Sequence, residues 1–151
     1  MDVHLTTLLP VALLVDLPEI DAQHEEIFSQ IECLRAVSFE NGYVAMEDFE
    51  SLIDLFERHF ATEERMADEA GIDFTAHADL HRNTLRLLRK ALSEVLHGGQ
   101  DEHSFLRYVE YWFERHISED DRAFVAKLTA SSCRRSTKRR RGAGRSQPAP
   151  V

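Results

Sequence analysis

Two pairs of side chains in the sequence have the spacing of metal ligands on a helix. His59 and Glu63 are four residues apart, as are His77 and His81. At about 100° per residue, positions four apart diverge by only about 40° around a helix, so each pair faces one point. Imidazole nitrogen and carboxylate oxygen suit zinc, iron, manganese or copper. Either pair alone is better explained as an exposed pair that arose by chance, so the rest of the chain decides.

Polar residues also interrupt the apolar stripes from which a core would be built. They are His24, His59, Glu63, His77, His81 and His116. Burying such groups without partners would cost roughly several kcal/mol each, and no pattern of buried Lys or Arg offers partners. A bound cation would supply the missing compensation. Since these donors exceed those of a tetrahedral zinc site, we expect two metals that share bridging carboxylates, and a histidine-rich redox pair favours iron over manganese.

The elements that would position these residues are helices. Apolar residues recur at helical spacing, and no sustained alternation indicates strands. Short connections between amphipathic helices favour an all-α protein, an up-down-up-down four-helix bundle, which we predict over residues 19–130. The predicted helices run from Pro18 to Asn41-Gly42, through Val44 to Gly71, from about Phe74 to Gly98-Gly99, and through Phe105 to Leu128 with Asp101 as N-cap.

The two ends of the chain differ from this central domain. Residues 1–18 are expected to form an N-terminal arm. Residues 131–151 are expected to be a disordered basic tail, because they lack the apolar periodicity that would offset the entropy of ordering. All 27 acidic residues lie in residues 1–130, whereas seven of the 18 basic residues lie in the tail. Nucleic acid, an acidic membrane and the acidic body are all possible partners for such a tail, and the sequence does not choose among them. We expect chiefly a solubilising extension, then an unknown acidic or protein partner, and no nucleic acid.

The sequence gives no sign of membrane insertion or secretion. No run approaches the roughly 18 apolar residues that span a bilayer. The first residues, MDVHLTTLLPVALLVD, contain an acid, no positive start and an interrupting Pro10, which makes a poor signal peptide. Two cysteines are too few for a disulfide framework or a thiolate metal site. We therefore expect a cytoplasmic protein.

Four segments of the chain resemble the hemerythrins, most closely the single-domain bacterial ones. The segments are DLPEIDAQHEEIF (16–28), HFATEERM (59–66), HADLH (77–81) and HISEDD (116–121), and the similarity covers roughly residues 16–128. The resemblance implies a four-helix bundle around two non-haem iron ions (Fe2+/Fe3+) with an oxo or hydroxo bridge and dioxygen as ligand. It also implies the metal ligands: His77, His81 and His116 on one iron, His24 and His59 on the other, and Glu63 and Asp121 between them.

Helical spacing and the family pattern disagree about the bridging acid after His116. Spacing alone favours Asp120, four residues on, since Asp121 lies about 140° further around a regular helix. The family pattern HxxxxD selects Asp121, and a local widening of the helix would make up the angle. Glu119 and Asp120 would then form a solvated charge run. Both assignments remain open at this point, with Asp121 preferred.

Residues around the site are assigned by the same comparison. Phe113 is expected to pack in the core and to wall a dioxygen pocket, as bulky residues do at this place in the family. The tryptophan that bacterial members usually have in the N-terminal arm is absent, and an apolar run from Leu8 to Leu17 occupies the region. His4, His97 and His103 match no ligand position and are assigned to the surface.

The resemblance implies reversible dioxygen binding, by a carrier, a store or a scavenger, and no enzyme activity. One alternative is a di-iron oxidase, peroxidase or nitric-oxide reductase with the same ligands. Another is a sensor, in which dioxygen or the iron redox state alters the arm or the tail. Mostly neutral imidazole ligands favour the first function over the second, because carboxylate-rich sites better stabilise high-valent iron.

Overall fold

The computed structural model describes the backbone of residues 9–143 and the side chains of residues 9–133. Within this range the regular structure is entirely helical, which confirms the predicted all-α class. The elements are a short 3₁₀ turn (Val11–Leu13), α1 (Pro18–Asn41), α2 (Met46–Ala70), α3 (Thr75–Leu96), α4 (Glu102–His116), a π-helical turn (Ile117–Asp121) and α5 (Arg122–Ala143).

Four helical rods pack side by side in chain order, as the bundle prediction requires. Helix α1 lies against α2 and α4, and α3 lies against the same two helices. The fourth rod is α4 continued through the π-helical turn into α5. Large aromatic side chains fill the centre, among them the fully buried Phe49, Phe56, Phe105 and Phe113. Burial of this apolar surface is the main stabilising contribution to the fold.

Local signals at the helix ends account for the short connections. Helices α1 and α2 end at Gly42 (φ 78°) and Gly71 (φ 67°), left-handed positions that glycine adopts without steric cost. Helix α4 begins after Asp101, whose side chain accepts a hydrogen bond from the backbone N–H of Ser104 at 2.8 Å. The predicted N-cap is therefore confirmed.

The π-helical turn follows His116, the last ligand candidate of α4, and contains the acids Glu119, Asp120 and Asp121. Hydrogen bonds in such a turn run from residue i to residue i+5, so residues five apart lie close to one another along the helix. His116 and Asp121 have this spacing, and both are buried. The widening of the helix therefore brings to one place two residues that a regular helix would separate by about 140°.

The described part of the N-terminal arm packs against the bundle. Leu9, Leu13 and Val15 are buried in the core cluster. The backbone N–H of Val15 donates to Asp21 Oδ1 at 2.9 Å, and Arg122 Nη2 donates to the carbonyl oxygen of Ala12 at 2.5 Å. The apolar run in this segment thus contributes to the core.

The last helix enters the basic tail that the sequence places at residues 131–151. Its backbone is helical to Ala143. Arg, Lys and Ser tolerate a helix that has already been nucleated, and no Gly or Pro occurs before Gly142. Residues 144–151 of the expected tail lie outside the described residues. No helix in the described part of the chain is long and apolar enough to cross a membrane.

Candidate metal centre

Seven histidine and carboxylate side chains meet inside the bundle, and each rod supplies at least one of them. Helix α1 contributes His24, α2 contributes His59 and Glu63, α3 contributes His77 and His81, and the fourth rod contributes His116 and Asp121. All are buried except His77, whose side chain is 15% exposed. The structure therefore brings together every residue that the sequence nominated as a ligand.

Asp121 lies at the centre of this cluster, and its two oxygens face different histidines. Oδ2 is 2.8 Å from His24 Nε2 and 3.3 Å from His59 Nε2. Oδ1 is 3.0 Å from His116 Nε2 and 3.5 Å from His77 Nε2. A carboxylate placed in this way has one oxygen available to each of two neighbouring cations.

Glu63 lies on the other side of the same centre. Its Oε1 atom is 3.2 Å from His81 Nε2, 3.5 Å from His77 Nε2 and 3.7 Å from His59 Nε2. The last distance links Glu63 to the α1–α2 side of the cluster, although it is the longest of the three. All five histidines thus direct Nε2 toward the two carboxylates.

The donor atoms divide into two groups, each able to hold one ion. One group comprises Glu63, His77, His81, His116 and Asp121, and the other comprises His24, His59 and Asp121. Within each group the donor atoms lie within 4.8 Å of one another. Neither group contains a cysteine, so the donor set is nitrogen and oxygen alone, which suits iron, manganese and zinc.

Several buried donor atoms have no hydrogen-bond partner within the protein, which tests whether the site fits a metal. They are both carboxylate oxygens of Glu63, Oδ1 of Asp121, and Nε2 of His77, His81 and His116. An unsatisfied buried polar atom costs about 1–3 kcal/mol. Because these atoms converge on the same interior space, cations coordinated there would satisfy all of them, and the residues present fit a two-metal centre.

Aromatic rings hold the histidines in place from outside. Phe60 stacks on His81 with ring centroids 3.8 Å apart, and Trp112 stacks on His116 at 4.8 Å. Stacking fixes the ring plane, and therefore the direction of each Nε2 lone pair, at little entropic cost on metal binding. Trp112 thus orients His116 in addition to packing against the core.

Comparison with known proteins agrees with the geometry. Residues 15–128 match the family model described as the Hemerythrin HHE cation binding domain. The chain belongs to the hemerythrin family.

Two relatives illustrate how far the similarity extends. The chain is 30% identical over 108 residues to a protein named Bacteriohemerythrin from Pseudomonas paraeruginosa (strain DSM 24068 / PA7), a match that covers 70% of this chain and 71% of the relative. It is 28% identical over 116 residues to the Bacteriohemerythrin of Stenotrophomonas maltophilia (strain R551-3), and this match covers 74% of this chain and 74% of the relative. The predicted likeness to the bacterial hemerythrins is confirmed.

In this hemerythrin, the protein environment sets the protonation of the carboxylates in the absence of metal. Burial raises the pKa of Glu63 to about 8. Burial acts in the same direction on Asp121, but the neighbouring imidazoles of His116, His24 and His59 outweigh it and hold the pKa of Asp121 well below its usual range. The central carboxylate is therefore ionised at neutral pH, whereas Glu63 retains a proton.

Four of the histidines also fall into two classes. Burial lowers the pKa of His59 to about 4 and that of His81 to about 2, the latter with a contribution from the neighbouring imidazoles. Burial has the same sign at His77 and His116, but nearby carboxylates outweigh it and raise the pKa of each to about 9. Without metal, these two rings and Glu63 are therefore protonated at neutral pH. Metal binding would have to displace those protons.

Two side chains contact ligand candidates on their outer nitrogen, a role that the sequence analysis assigned to neither. His59 Nδ1 hydrogen-bonds to Gln23 Oε1 at 2.9 Å, and His116 Nδ1 hydrogen-bonds to Asp120 Oδ2 at 3.0 Å. The assignment of Asp120 to a purely solvated charge run was therefore wrong, because helical spacing of four places it beside His116. Its neighbour Glu119 is exposed and pairs with Arg115, as expected of a solvated acid.

The remaining nominated residues lie as follows. Phe113 is fully buried, and its ring centroid is 5.3 Å from that of His24 and 6.3 Å from that of His59. His97 and His103 are exposed. His4 lies outside the described residues.

Proposed function

We propose that this hemerythrin-family protein holds two iron ions at the seven-residue cluster and binds dioxygen reversibly there. The observation that carries the proposal is the division of Asp121, with one carboxylate oxygen toward His24 and His59 and the other toward His77 and His116. A shared acid between two groups of histidines is the arrangement that a carboxylate-bridged pair of metals requires.

The proposed ligands follow from the two groups of donors. His77, His81 and His116 would bind one iron, and His24 and His59 the other. Asp121 and Glu63 would bridge them, together with an oxo or hydroxo group. Support for Glu63 as a bridge comes from its position 3.2 Å from His81 and 3.7 Å from His59, on opposite sides of the cluster. When bound, the iron pair would supply a coordination position for dioxygen and the electrons that hold it.

Unequal numbers of ligands would locate the dioxygen site. Five side chains form one group of donors and three form the other. If Glu63 also binds the metal held by the smaller group, that metal has four protein ligands, one fewer than the other metal. A small molecule would therefore bind on the side of His24 and His59.

Aromatic side chains form the surroundings of these two histidines. Phe113 packs edge-on against His24, and its ring also lies 5.0 Å from that of Phe28 and 5.1 Å from that of Phe56. Such an apolar wall excludes water and offers no proton donor, which favours release of the bound molecule unchanged over its cleavage. Phe113 is the residue that we assign to this wall.

The role that we propose is that of a dioxygen carrier, store or scavenger without enzymatic turnover, located in the cytoplasm. The decisive experiment reduces the iron-loaded protein without air, adds dioxygen, and then purges with inert gas while the visible spectrum is recorded. A charge-transfer band that forms with dioxygen and disappears on purging supports the proposal. Irreversible oxidation, or turnover of peroxide or nitric oxide far beyond stoichiometry, contradicts it and favours the redox-enzyme alternative.

A matched pair of variants assigns any band to this site. His24→Ala removes a proposed ligand of the dioxygen-binding position, whereas His103→Ala removes an exposed histidine outside the cluster. We expect the band to be lost in the first variant and kept in the second. A band that survives His24→Ala would place dioxygen elsewhere.

A further inference from the structure

The outer nitrogens of two cluster histidines bind unlike partners. His116 Nδ1 donates to the carboxylate of Asp120, and His59 Nδ1 donates to the amide oxygen of Gln23. In both rings Nε2 faces the central carboxylates. The two rings therefore differ in one respect that matters to a metal: one is bound to an anion and the other to a neutral group.

A chain of hydrogen bonds fixes the orientation of Gln23. The hydroxyl of Thr62 donates to the carbonyl oxygen of Arg58 at 3.0 Å, so its oxygen can only accept the further hydrogen bond. Gln23 Nε2 supplies that bond at 2.9 Å, which turns Gln23 Oε1 toward His59. His59 must then carry its proton on Nδ1, and the lone pair of Nε2 points into the cluster.

Asp120 fixes a proton on the corresponding nitrogen of His116 by simpler means. A carboxylate only accepts hydrogen bonds, so Nδ1 carries a proton and Nε2 is the nitrogen that a metal would use. The His116 side chain is 1% exposed, whereas that of Asp120 is 39% exposed, which leaves the carboxylate partly hydrated and its partner desolvated. Carboxylate partners of this kind raise the basicity of a histidine ligand more than neutral partners do.

We propose that Asp120 and Gln23 are positioning residues that make the two metal positions unequal electron donors. Asp120 would make His116 a stronger electron donor to its metal. This favours the ferric state at the position with more protein ligands. Gln23, held by Thr62, leaves His59 a weaker and neutral donor, which favours the ferrous state at the position that would bind dioxygen. This inference rests on the ligand set of the proposed function, and it adds residues that tune the centre without touching it.

The test is the reduction potential of the iron-loaded full chain in two variants with matched controls. Asp120→Asn removes the anion and keeps a hydrogen-bond acceptor, and its control Glu119→Gln removes a neighbouring exposed charge that pairs with Arg115. Gln23→Glu adds an anion beside His59, and its control Gln30→Glu makes the same change seven residues further along α1. Iron content is measured first in every variant.

We expect the potential to rise in Asp120→Asn and to fall in Gln23→Glu, with both controls unchanged. A tenfold change in the preference for ferric over ferrous iron corresponds to about 59 mV for one electron. Loss of the outer anion should also make ferric iron about 10–100-fold easier to remove with a chelator in Asp120→Asn.

Equal shifts in each variant and its control would overturn the inference, as would loss of iron with no change of potential in the iron that remains. If Asp120→Asn does not retain iron, the comparison of Gln23→Glu with Gln30→Glu decides alone. Failure of the proposed function is distinguishable, because potentials can be measured and compared in a protein whose iron does not bind dioxygen reversibly.

Discussion

Replacing Phe113 by alanine should separate the stability of the fold from the stability of the bound dioxygen. Phe113 is fully buried and contacts the rings of His24, Phe28 and Phe56. Removing a buried phenylalanine ring costs about 3–5 kcal/mol, from lost apolar contacts and from the cavity left behind. That is a large part of the about 5–15 kcal/mol by which a typical domain is stable, although a folded variant is still expected.

The second effect is specific to the site. A cavity beside His24 and His59 would admit water to the place where dioxygen is proposed to bind, and water supplies the protons that the apolar wall excludes. We therefore expect the oxygenated form of Phe113→Ala to oxidise irreversibly at least about tenfold faster than that of the unchanged protein. A tenfold change in rate corresponds to a decrease of about 1.4 kcal/mol in the activation free energy of oxidation. Denaturant unfolding gives the stability, and the decay of the charge-transfer band gives the lifetime.

Phe105→Ala is the matched control for this prediction. Phe105 lies on the same helix, is 1% exposed, and packs edge-on against Phe49 away from the cluster. The Phe105→Ala variant should lose a similar amount of unfolding free energy. The lifetime of its oxygenated form should equal that of the unchanged protein. Equal lifetimes in the two variants would refute the assignment of Phe113 to the dioxygen pocket.

Three further predictions concern the metal and the tail. Glu63→Gln should lose iron because it removes a proposed bridge, whereas Glu64→Gln, an exposed neighbour, should retain it; equal iron contents would count against Glu63 as a ligand. Iron uptake at neutral pH should release protons, since a pKa raised to about 9 at His77 and His116 and to about 8 at Glu63 keeps these groups protonated without metal, and affinity should therefore fall as pH falls. Calorimetry in buffers of different ionisation enthalpy measures this release, and buffer-independent heats would contradict it. Deleting residues 134–151 should leave iron and dioxygen binding intact, because no proposed ligand lies beyond Asp121; loss of either would show that the domain boundary is wrong.

The helices and six of the seven cluster residues were predictable from local periodicity, and Asp121 was predictable only from the resemblance to the hemerythrins. Apolar residues three and four apart define the faces that must be buried, and His59, Glu63, His77 and His81 fall on those faces by spacing alone. The choice between Asp120 and Asp121 was not available from spacing, since it depends on a π-helical turn that a regular periodicity does not reveal. The structure uses both acids, one on each nitrogen of His116.

Contacts between distant parts of the chain were the least predictable. Gln23 meets His59 across 36 positions of sequence, and nothing in the local pattern of α1 distinguishes it from an exposed glutamine. The end of the last helix depends on local signals instead. Apolar periodicity ends near Leu128, and the helical backbone runs on to Ala143 over residues that include no Gly or Pro before Gly142.

The most direct test of the proposed centre is the number and coupling of iron ions per folded chain. Elemental analysis with Mössbauer spectroscopy of the oxidised protein should give two ferric ions per chain, magnetically coupled through their bridges, and Asp121→Ala should lower the number of ions per chain because it removes a ligand that both would share. One iron per chain, or two uncoupled ions in the unchanged protein, would contradict a centre bridged by Asp121.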